Sequence, residues 1–180
     1  MLHMEQISYN IILILSKEKK HIRGLAKILN TNPMTIARKV KQLEKKNIVD
    51  YNLEGKNKVY FLKKSLEANQ YLKAAENLKI ITLISKHPRL RNIIDVINKD
   101  CSIGLAIIFG SYAQEKETKN SDIDIYIETT NRKIKEKLEL LDSKLSIKIG
   151  PFITENNLIK EIIKNNIIIK GVDRYYKLIY

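Results

Sequence analysis

The chain has 180 residues, 44% of them apolar, which is enough for packed cores in one medium or two small units and too much for a disordered polymer. Thirty-three Lys and Arg against 20 Asp and Glu give a net charge of +13, a balance that suits a polyanionic partner or simply a lysine-rich solvated surface. A single cysteine excludes an internal disulfide, three scattered histidines leave no zinc-ligand spacing, and the apolar run Ile11 to Leu15 is too short for a bilayer and lacks signal-peptide flanks; a cytoplasmic protein without a membrane partner is expected.

In chain order, a first helix is expected from about Glu5 to Ser16. Residues Ile22, Leu25, Ala26 and Leu29 then fall at i, i+3, i+4 and i+7, one face of a second helix. It stops at Asn30-Thr31-Asn32-Pro33, where Thr31 or Asn32 can cap a new helix and Pro33 suits its first position. That third helix runs to about Lys46 with Ile36, Ala37, Val40 and Leu43 as its buried face. Residues 48–62 read as two strands around the polar tip Glu54-Gly55-Lys56-Asn57, a hairpin. Residues 1–64, which carry 14 basic and five acidic side chains, resemble a winged helix-turn-helix domain. In such a domain the last helix reads bases in the major groove while phosphate contacts fix register. Thr35, Arg38 and Gln42 have the chemistry for bases; Lys39, Lys41, Lys45 and Lys46 on the helix, with Lys56 and Lys58 on the hairpin, have it for phosphates. Duplex DNA is the partner favoured over a docking protein, because the positive excess collects there.

Residues 65–87 lack helix breakers until His87-Pro88, and Leu72, Ala75, Leu78 and Ile81 recur at near-helical spacing, so a linking helix is expected. From residue 88 to 180 the pattern becomes that of an α/β unit. A helix over Leu90 to Asn98 leads to the apolar run Ser102 to Phe109, a strand buried on both faces. A short helix follows, then the strand Ile123 to Ile127, a helix from Arg132 to Leu141, and a strand from Leu145 to Ile149. A helix from Thr154 to Lys164 and an apolar run from Ile167 to Lys170 close the order. The fold class is therefore α+β, with a mixed sheet in the C-terminal domain.

Chemistry concentrates in residues 106–128. A strand feeding Gly110-Ser111 and then a helix offers a close backbone approach, a hydroxyl, and the free N–H groups of a helix start, which together suit a triphosphate. Asp122 and Asp124, at i and i+2 on a strand, project from one face and can hold a divalent cation between them.

The stretch Phe109-Gly110-Ser111 through Ser121-Asp122-Ile123-Asp124 resembles the signature of DNA polymerase beta-like nucleotidyltransferases, particularly the small prokaryotic minimal catalytic domains, several of which carry a winged helix in front. The resemblance extends over roughly residues 88–170. It implies transfer of a nucleoside monophosphate from an NTP, ATP being the expected one, to a hydroxyl acceptor. Gly110 and Ser111 would take the triphosphate, and Asp122 and Asp124 would act catalytically as ligands of Mg²⁺ or Mn²⁺. The acceptor stays open among a small molecule, an RNA end and a partner protein, and a homodimer is allowed.

Two departures from that pattern matter. Glu115 stands where a second Gly is usual. On the strand Leu145 to Ile149, where the family commonly has a third acid, the residues sharing one face are Ser146, Lys148 and Gly150. Without that acid the expectation is slow transfer, and the alternative reading is a DNA-binding regulator whose weakened transferase domain serves as a nucleotide sensor or dimer scaffold. Among the neighbours, Tyr112 is expected to pack rather than stack on a base, Glu128 to be solvated, Lys148 to meet a phosphate or Asp124, and Cys101 to be a small hydrophobe before the strand.

Overall fold

His21 ends one element and starts another, because its imidazole Nδ1 accepts the N–H of Gly24 at 3.1 Å, the bond of a helix N-cap. In the computed structural model, which describes residues 2–179 and side chains from Glu5 onward, the N-terminal order is α1 (Leu2–Leu15), β1 (Lys20–His21), α2 (Ile22–Ile28), α3 (Pro33–Lys45), β2 (Val49–Glu54) and β3 (Asn57–Leu62). Asn32 caps α3 by accepting the N–H of Met34 at 2.8 Å, with Pro33 as the first helical residue. The hairpin register pairs Glu54 with Asn57, so only Gly55 and Lys56 form its tip. Gly55 has φ +60 at the first loop position, where a tight hairpin turn favours glycine. The strand β1, which the sequence pattern does not announce, adds to β3 and gives an antiparallel sheet of order β1-β3-β2.

The helix α4 (Leu66–Lys86) is capped by Ser65, whose Oγ accepts the Ala68 N–H at 3.1 Å. The chain divides into two units inside this helix, up to Glu76 and from Asn77. Of the expected face, Leu72 and Ala75 are buried whereas Ile81 is 59% exposed; Ala68 and Leu83 carry the packing instead.

The second unit continues with α5 (Leu90–Lys99), β4 (Ala106–Ile108), α6 (Gly110–Ala113), β5 (Ile123–Glu128), α7 (Arg132–Glu139), β6 (Leu145–Gly150), α8 (Asn157–Lys164), β7 (Ile167–Lys170) and α9 (Val172–Ile179). The sheet order is β6-β5-β4-β7; β5 and β6 are parallel and the other pairs antiparallel. Strand β4 spans only three residues of the expected run, although Leu105 and Phe109 beside it are also buried. The sheet carries helices on both faces. Ile123, Ile125 and Ile127 pack with residues of α5 and α7, whereas Tyr126 packs with Phe152, Ile159 and Tyr175 on the side of α8 and α9. Helix α9 goes beyond the sequence reading, which ends at Lys170. Among the described residues no helix is long and apolar enough to cross a membrane.

Candidate functional site

The turn after β4 is shaped by Gly110, whose φ of +66 lies in the left-handed region. A Cβ built there would stand 2.5 Å from Oδ2 of Asp124, closer than real atoms approach. The glycine backbone therefore lies directly against the carboxylate of the second strand. One further bond sets this alignment: the Phe109 N–H donates to the Asp124 carbonyl at 3.0 Å. Ser111 follows in a helix of one turn, α6, so the contribution of a helix dipole is small and its first N–H groups are the useful donors.

Asp124 is half-buried and Asp122, immediately before β5, is exposed. Both fall on the strand face that also carries Tyr126, at the end where the aromatic packing of Tyr126, Phe152 and Tyr175 gives way to solvent. Neither carboxylate makes an ion pair or hydrogen bond with another described residue. The loop before them is closed by Ser121, whose Oγ accepts the Thr118 N–H at 2.9 Å while its own N–H donates to the Thr118 carbonyl at 3.1 Å. That is the role of the serine in this Ser-Asp-Ile-Asp run: it fixes where the acids begin.

Among the described residues no three His, Cys, Asp or Glu side chains gather as a complete metal cage. Two unpartnered carboxylates on one face fit a different kind of site, in which Asp122 and Asp124 hold a divalent cation and substrate phosphates supply further oxygens. The strand register shows what is missing. Parallel pairing sets Ser146 beside Asp124, Lys148 beside Tyr126 and Gly150 beside Glu128, so the neighbour of the acid pair is a hydroxyl. Lys148 is exposed and pairs with neither aspartate.

Several neighbours differ from the sequence reading. Glu128 is held by Arg174 of α9, whose Nη2 reaches Oε1 at 2.9 Å and whose Nε also donates to the carboxylate, so it is committed rather than solvated. Glu115, at the position of the second glycine, has φ +54, a conformation that favours glycine, and pairs with Lys86 at 2.8 Å. Tyr112 is buried as expected, with Arg89 donating to its hydroxyl and the His87 ring edge-on at 5.0 Å. His87 in turn meets Glu117 at 2.8 Å. Cys101 lies before β4 as expected, exposed in the turn there. Tyr126 donates its hydroxyl to the Gly150 carbonyl at 2.7 Å, and burial, then the nearby Glu128 charge, pushes its pKa up to about 12. It stays a neutral structural donor.

In the first unit, the nine residues singled out for DNA differ in exposure and in what they line. Arg38 and Lys41 are exposed on α3 and Thr35 is half-buried. Lys56 and Lys58 line a groove with Arg23, Met34 and Tyr60, and Lys58 lies over the Tyr51 ring at 3.7 Å. Gln42, Lys45 and Lys46 instead surround a separate cavity between α1, α3 and α4. Lys39 departs furthest from the expectation: it is only 6% exposed and lines that cavity, because its place on α3 turns it toward α1. An open phosphate contact does not fit it. Arg23, which the sequence reading does not single out, lines the same groove as Lys56 and Lys58, and the pairing of β1 with β3 helps bring its helix beside the hairpin.

No curated protein and no solved structure matches the chain. A family model described as Polymerase beta, Nucleotidyltransferase matches residues 91–175, a span that contains both the Gly110-Ser111 turn and the Asp122, Asp124 pair. Over that span the second unit is similar to the polymerase beta nucleotidyltransferase family.

Proposed function

We propose that the second unit transfers a nucleoside monophosphate from ATP to a hydroxyl acceptor with the help of Mg²⁺. The single observation that carries this is the contact of Gly110 with Asp124, where the turn approaches so closely that a Cβ would lie 2.5 Å from the carboxylate oxygen. It joins a phosphate-binding turn and a cation-binding pair into one patch. Gly110 and Ser111 present backbone N–H groups and a hydroxyl to the phosphates; Asp122 and Asp124 supply the negative charge that keeps a cation among them. When bound, a divalent cation would neutralise the phosphates and the leaving pyrophosphate. In the transfer, the acceptor oxygen bonds to the α-phosphorus, the bond from that phosphorus to the pyrophosphate oxygen breaks, and the hydroxyl proton is released.

That proton has no carboxylate waiting beside Asp124, because Ser146 occupies the neighbouring strand position. This favours slow transfer in the isolated protein, and it is the observation behind a second reading, a regulator that senses ATP without turning it over. The proposed companion activity of the first unit is duplex DNA binding by a winged helix-turn-helix. What supports it is the order of α1 to β3, the exposure of Arg38 and Lys41, and the basic groove beside the hairpin. The acceptor, which a partner protein or an RNA end would supply, is sought by incubating the protein with α-labelled ATP, Mg²⁺ and lysate. Label transferred by wild type and lost in Asp122→Asn and Asp124→Asn supports transfer. ATP binding with no label transferred under any condition supports the sensor.

A further inference from the structure

Lys39 is a covered side chain that the transfer does not employ and that an open contact with a DNA phosphate does not fit. It is 6% exposed, and its ammonium makes no ion pair or hydrogen bond with another described residue. Its Nζ is not among the sealed, unsatisfied atoms, so it keeps access to the cavity it lines. That cavity, of about 390 Å³, has the size of a small-molecule site.

The lining has one charge character and one shape. Lys39, Gln42 and Lys46 follow at i, i+3 and i+7 along α3 and share a side of the helix, with Lys45 at the exposed rim. Lys46 donates to the Tyr71 hydroxyl at 2.9 Å and lies 5.2 Å from that ring's centre. The same hydroxyl holds the Lys46 ammonium above its usual pKa, so it stays charged. Tyr9 and Tyr71 form a wall, their rings 6.3 Å apart and tilted by 35°. Among the described residues, the lining sets three ammonium groups against one carboxylate, Glu5.

We propose that this cavity binds a small phosphate monoester, with Lys39 at its floor and Lys45 and Lys46 at its rim taking the phosphate and the Tyr9–Tyr71 wall taking the attached ring or sugar. A dianion balances the surplus of the lining, and lysine binds phosphate well as a point charge. The volume exceeds what a bare phosphate needs. A duplex backbone laid on α3 could meet the rim lysines but could not enter a cavity to reach a side chain as covered as Lys39.

The test follows the Tyr9 and Tyr71 ring signals by NMR in the full chain, with no divalent cation, during titration with inorganic phosphate, AMP, glucose 6-phosphate and glucose. Saturable shifts with at least one phosphate compound, and none with glucose, are expected; equal affinity for inorganic phosphate and AMP would assign the site to the free ion, and tighter AMP or sugar phosphate to the ester. Lys39→Met keeps the buried stem and should weaken binding about tenfold or more, about 1.4 kcal/mol per factor of ten. Lys46→Gln, at the exposed rim where folding is not at stake, should weaken it severalfold, and Lys56→Met should leave it unchanged. The proposal is overturned if none of the phosphate compounds shifts these rings saturably, if both pocket variants bind as wild type does, or if the rings respond only to duplex DNA.

Discussion

The two units expose charge under different rules. In the second, Asp122 and Asp124 sit at a strand start, where alternation alone puts both on one face and the close approach of Gly110 ties Asp124 to the Gly110-Ser111 turn. In the first, the charges sit on α3, where each step along the helix rotates a side chain to a different neighbour. Arg38 is exposed, Lys39 is covered, and Lys45 and Lys46 border a cavity. A short motif bound to backbone geometry is therefore a sharper statement about chemistry than a larger charge spread around a helix.

The largest expected effect breaks the tighter of the two arrangements. Gly110→Ala should cost about 1–2 kcal/mol for the left-handed backbone and more for the clash with Asp124, and should weaken ATP binding by well over tenfold. Thermal unfolding and calorimetric titration read the two losses. In Gly110→Ala/Asp124→Ala the clash is gone, so stability should partly return while binding does not. If binding returns as well, neither the glycine nor Asp124 holds the nucleotide.

On the neighbouring strand, Ser146→Asp supplies a carboxylate beside Asp124 and should raise label transfer by up to about a hundredfold, the lower end of general-base effects. A fast wild type would mean that the transfer proton has another acceptor. Tyr126→Phe leaves the Gly150 carbonyl without its donor and should cost about 1–2 kcal/mol. Its pH signature has a definite sign. An unfolded tyrosine ionises near pH 10, whereas the buried phenol holds its proton up to about 12; its stabilising contribution is complete below pH 10 and lost as pH rises toward 12. Tyr126→Phe should flatten that part of the alkaline decline in denaturant midpoint.

For the first unit the effects are smaller and graded. Lys45→Ala should weaken all duplexes alike and reduce the slope of log affinity against log salt by about 0.9, while Arg38→Ala should change sequence preference. The smallest effect concerns the turn once more. Glu115→Gly removes the strain of φ +54 and also an exposed ion pair with Lys86, terms of opposite sign that should leave stability within about 1 kcal/mol.

Most of the fold was legible because its signals are local. Asn32-Pro33 begins a helix, Gly55 turns a hairpin, and continuous isoleucines make the central strands. What escaped was set by pairing at a distance. Strand β1 exists because Lys20 and His21 have Tyr60 and Val59 to pair with, and nothing in a Lys-His dipeptide says so. The site divides the same way. Gly110 and the aspartates could be read directly, whereas the tie of Glu128 to Arg174 and the covering of Lys39 depend on helices packing from elsewhere in the chain.

The central claim, that the Gly110 turn and the acid pair are one nucleotide site, is tested most directly by calorimetric titration of the full chain with ATP in the presence and absence of Mg²⁺, for wild type, Asp122→Asn and Asp124→Asn. The account predicts that Mg²⁺ tightens ATP binding in wild type and that each substitution removes most of that gain. ATP affinity that is indifferent to Mg²⁺ and equal in all three proteins would contradict it.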